Sequence, residues 1–123
     1  MNTTINHFSD LEAWKKAYSF TIQIYQLTKS FPKEERFGII SQLQRAACSI
    51  TANIAEGFSR YHYKDKTRFY YQARASLSEC QNFLIISKGL KYINNDTYTE
   101  LYKLSIEIIK LINGLINSQK SRS

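Results

Sequence analysis

Hydrophobic residues recur every three or four positions along most of this chain, which is the spacing that places side chains on one face of an α-helix. The first such segment runs from about residue 10 to residue 30, and Pro32 prevents its helix from continuing. Ser9 and Glu12 have the spacing of a capping box, which satisfies backbone N–H groups at the start of a helix. The residues on the main face, which we expect in a hydrophobic core, are Leu11, Trp14, Tyr18, Thr21, Ile22 and Tyr25. Phe20, Ile24 and Leu27 lie off this face, so the helix has more apolar surface than one core contact requires.

Three further segments carry the same period and predict three more helices. The second runs from about Gly38 to Gly57, where glycine suits a C-terminal cap, and the third runs from about residue 64 to residue 90. Asn95 or Asp96 can cap a fourth helix that ends near residue 117. Although its many isoleucines are also typical of a strand, its length and its spacing favour a helix. The predicted core faces are Ile39, Leu43, Ala46, Ala47, Ile50 and Ile54 in the second helix, Phe69, Ala73, Leu77, Cys80, Phe83 and Leu84 in the third, and Leu101, Leu104, Ile108, Leu111 and Leu115 in the fourth.

The composition supports an all-α fold. The 123 residues include only four glycines and one proline, too few for the many tight turns of a β-sandwich or barrel. Chains usually divide into domains only beyond roughly 250 residues, so we expect one domain. For four amphipathic helices with short connections, an up-down-up-down four-helix bundle is the simplest arrangement. We assign residues 10–117 to this bundle, with an irregular segment over residues 1–9 and a disordered tail over residues 118–123.

The residues that usually carry catalysis or bind metals are few and scattered. Cys48 and Cys80 lie 32 residues apart, and neither belongs to a CxxC pair. The two histidines do not follow a glutamate by three positions, as a di-iron bundle would require. The four glycines are too dispersed for a phosphate-binding loop. We therefore expect no catalytic residues, metal, cofactor or small-molecule substrate, and Glu56 with Arg45 is the polar pair that would have to supply any chemistry.

Nothing in the hydropathy pattern predicts a membrane segment. The most apolar stretch, residues 106–116, is interrupted by Glu107, Lys110 and Asn113, whereas a spanning helix needs about 20 apolar residues in succession. The first ten residues also lack the basic start and apolar run of a secretory signal. These features predict a cytoplasmic protein without membrane contact.

Positive charge is concentrated in one segment of the chain. Seventeen Lys and Arg against ten Asp and Glu give a formal charge of +7, which favours an anionic partner. Residues 60–74 contain five basic residues, one acid and five aromatic rings, a mixture that suits phosphate contacts and stacking on unpaired bases. The candidate nucleic-acid-binding residues are Arg60, Tyr61, Tyr63, Lys64, Lys66, Arg68 and Arg74. The alternative is structural: Phe69 and Tyr70 lie in the core, the cations form a solvated face, and the loop tyrosines pack on the end of the bundle.

Two further features predict contacts beyond a single bundle. In the second helix a polar stripe at steps of three and four consists of Gln42, Arg45, Ser49, Asn53 and Glu56. This stripe could be a subunit contact, a ligand groove or a solvated face, and we favour the subunit contact because its polar groups could pair with an approaching helix. In the fourth helix, Ile109, Ile112 and Ile116 widen the apolar arc to roughly 160°, whereas one core face needs little more than about 100°. We therefore also assign these isoleucines to an oligomer interface.

Several of these residues together form a pattern that resembles a known family. The pattern comprises Asp10-Leu11 with Trp14 and Ala17, Phe31-Pro32 with Glu35 and Gly38, Gln42 with Arg45-Ala46 and Ser49-Ile50, the run Asn53-Ile54-Ala55-Glu56-Gly57, and Phe69, Ala73, Ser76 and Glu79. Over residues 10–92 it resembles the four-helix-bundle family named after proteins encoded in intervening sequences of bacterial 23S rRNA genes. The chain departs from that family's pattern at Lys66, where an aromatic residue is expected, and at Ala75, where glycine is expected.

The resemblance implies an all-α bundle without catalytic residues. From relatives such as the accessory protein of diversity-generating retroelements, it also implies a ring-shaped homopentamer whose basic surface contacts structured RNA or nucleoprotein. Our leading hypothesis is a cytoplasmic, non-catalytic homo-oligomer that binds rRNA-like structured RNA. The alternative is an adaptor that presents a surface to an enzyme, such as a reverse transcriptase, with nucleic-acid contact secondary.

Overall fold

The computed structural model describes residues 4–120, which form four α-helices and no strand. The helices are α1 (Glu12–Thr28), α2 (Ile39–Ser59), α3 (Tyr63–Gly89) and α4 (Asn95–Lys120), with short 3-10 turns at Phe8–Asp10 and Lys33–Glu35. Each helix packs against its neighbours in chain order, and α4 closes back on α1. Short connections make successive helices antiparallel. The structure therefore confirms the predicted all-α, up-down-up-down four-helix bundle.

The core-facing side of α1 differs from the predicted one. Ala13, Ala17, Phe20 and Ile24 are buried, whereas Tyr18, Ile22 and Tyr25 are exposed and Trp14 is half-buried. The two alanines let neighbouring helices approach closely, and the larger apolar side chains fill the space between them. Tyr18 is half exposed, and the Tyr25 hydroxyl lies 3.4 Å from the Sγ atom of Cys48 on α2, so neither position requires burial of an unpaired polar group. The predicted α1 core face is thus wrong at Tyr18, Ile22 and Tyr25.

The buried face of α4 is also rotated relative to the prediction. Leu101 and Ile108 are buried as expected, but Ile112 and Ile116 are buried inside the same chain, with 0% and 2% of their surface exposed. Ile109 is half-buried and packs against the core of its own chain. The assignment of Ile112 and Ile116 to an oligomer interface is therefore wrong, because no second copy can reach them. Three leucines of the predicted core face are only partly buried, at the edge of the core: Leu104, Leu111 and Leu115.

α4 extends further than the pattern predicted. The helix continues to Lys120, and Gln119 near its end is buried. Residues 118–120 are therefore helical and not a disordered tail. The rest of that predicted tail, residues 121–123, and the first three residues of the predicted N-terminal segment lie outside the described residues. Within that N-terminal segment, residues 8 and 9 belong to the first 3-10 turn.

The helices begin with different caps from those expected. No side chain caps α1, and Asp10 instead accepts the backbone N–H groups of Asn6 and His7, each at 3.1 Å, within the preceding 3-10 turn. The predicted Ser9–Glu12 capping box is therefore wrong. At α4 the cap is Asn94, whose side-chain oxygen accepts the N–H of Thr97 at 2.8 Å, one residue before the predicted cap.

Gly57 lies inside α2 and does not cap it, because the helix continues to Ser59. The glycine is buried where α2 meets α3. A Cβ atom at this position would lie 2.7 Å from the Tyr70 ring and 3.2 Å from the carbonyl oxygen of Lys66. The absence of a side chain therefore lets the last turns of α2 and the first turns of α3 pack closely, next to the connection that carries the candidate site.

Candidate nucleic-acid interface

The connection between α2 and α3 consists of only Arg60, Tyr61 and His62. It brings the last turn of α2 and the first turns of α3 to one end of the bundle. Tyr61 has 88% of its surface exposed, and its ring meets the His62 ring edge-on at a centroid distance of 5.2 Å. Tyr63 and Lys64, which follow at the start of α3, are exposed as well. The predicted loop tyrosines are thus at the surface, and Tyr61 in particular does not pack on the end of the bundle.

Two arginines of this end share one aromatic ring. The guanidinium carbons of Arg60 and Arg68 each lie 4.8 Å from the centroid of Phe69, a geometry that is favourable for a cation and an aromatic face. Glu56 forms an ion pair with Arg60 at 3.2 Å. Two positive charges therefore converge on a half-buried phenylalanine, with Glu56 paired to Arg60 and a second acid, Asp65, in the first turn of α3.

Lys66 and Arg74 have partners inside the bundle. The Lys66 ammonium donates to the carbonyl oxygens of Phe58 at 2.7 Å and Gly57 at 3.4 Å, in the last turn of α2. Arg74 donates to the side-chain oxygen of Asn113 on α4 at 2.7 Å. The structure brings Arg60, Tyr61, Tyr63, Lys64 and Arg68 to one end, whereas Lys66 and Arg74 hold helices together.

The sequence did not reveal that α4 also reaches this end. A groove of about 220 Å³ is lined by Tyr63, Lys64 and Thr67 of α3 and by Gln119 and Lys120 of α4. Lys120 thus adds a cation beside Lys64. The position of Lys120 could have been predicted from the helical spacing of Ile112, Ile116 and Gln119. These three residues are buried and hold the last turn of α4 on the bundle.

The polar stripe of α2 has hydrogen-bonded residues in its middle and exposed residues towards its ends. The Asn53 amide donates to the carbonyl and hydroxyl oxygens of Ser49 at 2.9 and 3.0 Å, and the hydroxyl of Ser76 on α3 donates to Ser49 at 2.9 Å. The middle of the stripe is therefore hydrogen-bonded within one chain. Gln42 and Arg45, at the N-terminal end of the stripe, are exposed, and Glu56 at its other end pairs with Arg60. A subunit contact therefore stays a prediction for these three residues.

The titratable core residues offer no acid–base pair at this end. Burial raises the pKa of Tyr70 to about 12 and, with smaller contributions from Glu79 and Cys48, that of Cys80 to about 12. Both groups are neutral near pH 7. Across residues 4–120 no cluster of three or more His, Cys, Asp or Glu side chains is arranged to hold a metal, and none of the four helices is long and apolar enough to cross a membrane.

The chain is similar to a known protein family and to a solved structure. A family model described as 23S rRNA-intervening sequence protein matches residues 9–114. The crystal structure of a protein of unknown function from the S23 ribosomal protein family of Bacteroides thetaiotaomicron superimposes with a TM-score of 0.79 and 26% sequence identity, over 85% of this chain and 95% of that one. No curated protein matches the chain. Since the family model covers most of the sequence, from the turn before α1 to the last turns of α4, the chain belongs to the 23S rRNA-intervening sequence protein family.

Proposed function

We propose that this protein is a non-catalytic RNA-binding protein that contacts structured, rRNA-like RNA in the cytoplasm. The observation that carries the proposal is the end of the bundle at the α2–α3 connection, which we call the Tyr61 surface. Its residues are Arg60, Tyr61, Tyr63, Lys64, Arg68 and Lys120. The family is named after an intervening sequence of 23S rRNA, and this name is consistent with an RNA partner.

The chemistry of the Tyr61 surface suits RNA. Lys64 and Arg68 are one helical turn apart on α3, so their charges can contact neighbouring phosphates. Tyr61 exposes its ring beside them, and sequence-tolerant stacking of unpaired bases on tyrosine is a common mode of binding to loops and bulges. Phosphate contacts supply most of the affinity in such a site, and stacking selects unpaired nucleotides.

Self-association is the second part of the proposal, with a further copy of this chain as the partner. Trp14, Tyr18, Ile22 and Tyr25 follow one another at steps of four, four and three along α1. The last three are exposed, and Trp14 is half-buried against the core. The rings of Trp14 and Tyr18 stack with centroids 5.3 Å apart, so this α1 stripe is preorganised. Such spacing is typical of helices that pack against another helix. The family resemblance favours a pentamer, which would carry five times the formal charge of +7.

The experiment is a fluorescence anisotropy titration of a structured RNA at two salt concentrations. We expect affinity to fall steeply with salt, because each neutralised phosphate releases counterions. The double variant Lys64→Gln/Arg68→Gln should bind about tenfold more weakly and reduce the slope of log affinity against log salt by about 1.5 to 2. The matched control Lys103→Gln/Lys110→Gln removes the same charge from α4 and should change binding far less.

Two outcomes would reject RNA binding at this surface. Binding that is absent at low salt would leave the adaptor alternative, in which the Tyr61 surface contacts a protein partner. Equal weakening in the two double variants would show that only the net charge matters and that the position of the cations does not.

A further inference from the structure

A second aromatic residue is as exposed as Tyr61 and lies at the other end of α2. Phe37, in the turn before α2, has 88% of its surface exposed. The guanidinium carbon of the adjacent Arg36 lies 5.3 Å from its ring centroid. Burying a phenylalanine is normally favourable, so a fully solvated ring held beside an arginine is a feature that folding of one chain does not require.

Two grooves meet at this corner, and cations line both. The first, of about 500 Å³, runs beside Phe37 and includes Tyr25, Arg36 and Arg45. The second, of about 470 Å³, shares Arg36 and adds Lys29 and Lys33. No carboxylate lines either groove. Among residues 4–120, no ion pair involves any of these four cations.

Two carboxylates, Glu34 and Glu35, belong to the turn between these cations. Glu35 accepts the hydroxyl of Tyr92 at 2.8 Å and the N–H of Ile39 at 3.4 Å, which joins the start of α2 to the segment after α3. Glu34 is the remaining acid in the turn and is exposed. The corner therefore carries four cations and two carboxylates, a net charge of +2 around an exposed ring, which is complementary to a polyanion that carries planar groups.

We infer that this corner, the Phe37 surface, is a second RNA contact, so that one chain holds a single RNA strand at both ends of α2. The inference rests on the proposed function at the Tyr61 surface. α2 has 21 residues, which corresponds to about 30 Å at 1.5 Å per residue. A stacked strand advances about 3.4 Å per nucleotide, so about ten nucleotides are needed to reach both surfaces.

The distance between the two surfaces sets the experiment, which measures the affinity of oligoadenylates, whose bases stack in single strands, at lengths of about 4 to 20 nucleotides. Short oligomers can occupy only one surface at a time. Longer ones gain from an intramolecular second contact, so the affinity of the wild-type protein should rise at least about tenfold near ten nucleotides. Phe37→Ser and Arg36→Gln should each remove this rise and change the affinity of short oligomers by no more than about twofold.

Both substitutions alter exposed side chains, so the fold should be retained. The matched control is Ile85→Ser, an exposed apolar residue near the end of α3 at the same end of the bundle, which should leave the rise unchanged. Light scattering of each protein without RNA reports whether the variants assemble as the wild type does.

Three results would overturn the inference. The rise could persist in Phe37→Ser, which would assign the second contact to another part of the assembly. It could be absent from the wild type although short oligomers bind, in which case the proposed function survives without the second contact. A changed mass in Phe37→Ser would assign the grooves to a contact between copies. A wild-type protein that binds no RNA of any length or structure would instead reject the proposed function.

Discussion

At the scale of single residues, Gly57 determines how closely α2 and α3 pack. Tyr70, whose ring would be 2.7 Å from a Cβ at position 57, is buried among both helices and cannot rotate away into solvent. The second neighbour is a backbone oxygen of α3. Any side chain at this position must therefore push the helices apart.

Overpacking of a core usually costs about 1–3 kcal/mol, and alanine returns up to about 1 kcal/mol in a helix interior. We therefore predict that Gly57→Ala destabilises the protein by a net amount of about 1–2 kcal/mol. The matched control is Gly114→Ala in α4, where a Cβ would have nothing within 4 Å and should stabilise the helix. Urea unfolding of the two variants measures both effects, and a stabilised Gly57→Ala would contradict the described packing.

Tyr70 and Cys80 make stability depend on alkaline pH. Burial raises both pKa values to about 12, from ordinary values of 10.0 and 9.0. Between these values the unfolded chain releases protons that the folded chain retains, so the free energy of unfolding falls as the pH rises from 9 to 12. The stabilising contribution is complete below pH 9.

We expect Tyr70→Phe to flatten this decrease between pH 10 and pH 12, because phenylalanine has no proton to release. Tyr18→Phe is the control, since Tyr18 is half exposed on the outer side of α1. The measurement is urea unfolding of the wild type and both variants at several pH values in this range. Identical pH slopes for the wild type and Tyr70→Phe would show that Tyr70 ionises as readily in the folded state as in the unfolded state.

At the scale of helices, Lys66 joins the end of α2 to the start of α3. Its ammonium donates to the last-turn carbonyl oxygens of Phe58 and Gly57. The Gly57 carbonyl also accepts the backbone N–H of Arg60 at 3.3 Å, whereas last-turn carbonyls such as that of Phe58 lack the usual intrahelical donor, and the negative end of the helix dipole favours a cation there. The departure from the family pattern at this position is therefore a helix cap in this chain.

We predict that Lys66→Met lowers the free energy of unfolding by about 1–2 kcal/mol. Lys64→Met removes the same charge from an exposed position two residues away and should change stability by less than about 0.5 kcal/mol. Under the proposed function, Lys64→Met should lower the RNA affinity more than Lys66→Met does. This order is the reverse of their order in stability. Thermal unfolding and anisotropy on the same two proteins test both orders, and equal stability of the two variants would exclude the cap.

The four helices could be predicted from the sequence, but the buried face of two of them could not. The period of 3.6 fixes the angle between residues and so identifies a helix. It does not decide between two apolar arcs on the same helix. In α1 the buried arc contains Ala13 and Ala17, which carry little hydrophobic signal but permit close approach, while the arc with Tyr18 and Ile22 is exposed. In α4 the period again left two apolar arcs possible, and the buried arc contains Ile112 and Ile116, while Leu111 and Leu115 are only partly buried.

At the scale of the whole molecule, the candidate site was predictable where its residues are neighbours in sequence. Arg60, Tyr61 and Lys64 meet because one short connection carries them. Lys120 and Phe37 come from distant parts of the chain, and only the packing of the helices shows which surface each belongs to. Lys66 and Arg74 were assigned to RNA because their acceptors, backbone carbonyls of α2 and Asn113, become neighbours only in the folded chain.

Of the α1 stripe, Tyr18, Ile22 and Tyr25 lie outside the core of the chain, whereas Trp14 packs partly against it. The isoleucines of α4 that the sequence assigned to an oligomer interface fill that core, so any self-association must use another surface. The α1 stripe offers adjacent aromatic and aliphatic side chains over about three helical turns, with Ile22 near its centre. Residues at the centre of an interface contribute most to its stability, since surrounding contacts exclude water from them.

We therefore predict that Ile22→Asp converts the proposed assembly to a particle of 14.4 kDa, because a charge at the centre of an apolar contact must be desolvated without a partner. Ile85→Asp places the same charge on an exposed isoleucine of α3 and should keep the wild-type mass. Light scattering at micromolar concentration measures both, with urea unfolding to show that each variant is folded. If the wild type already has a mass of 14.4 kDa, the α1 stripe does not bind a second copy, and its exposed rings need another partner.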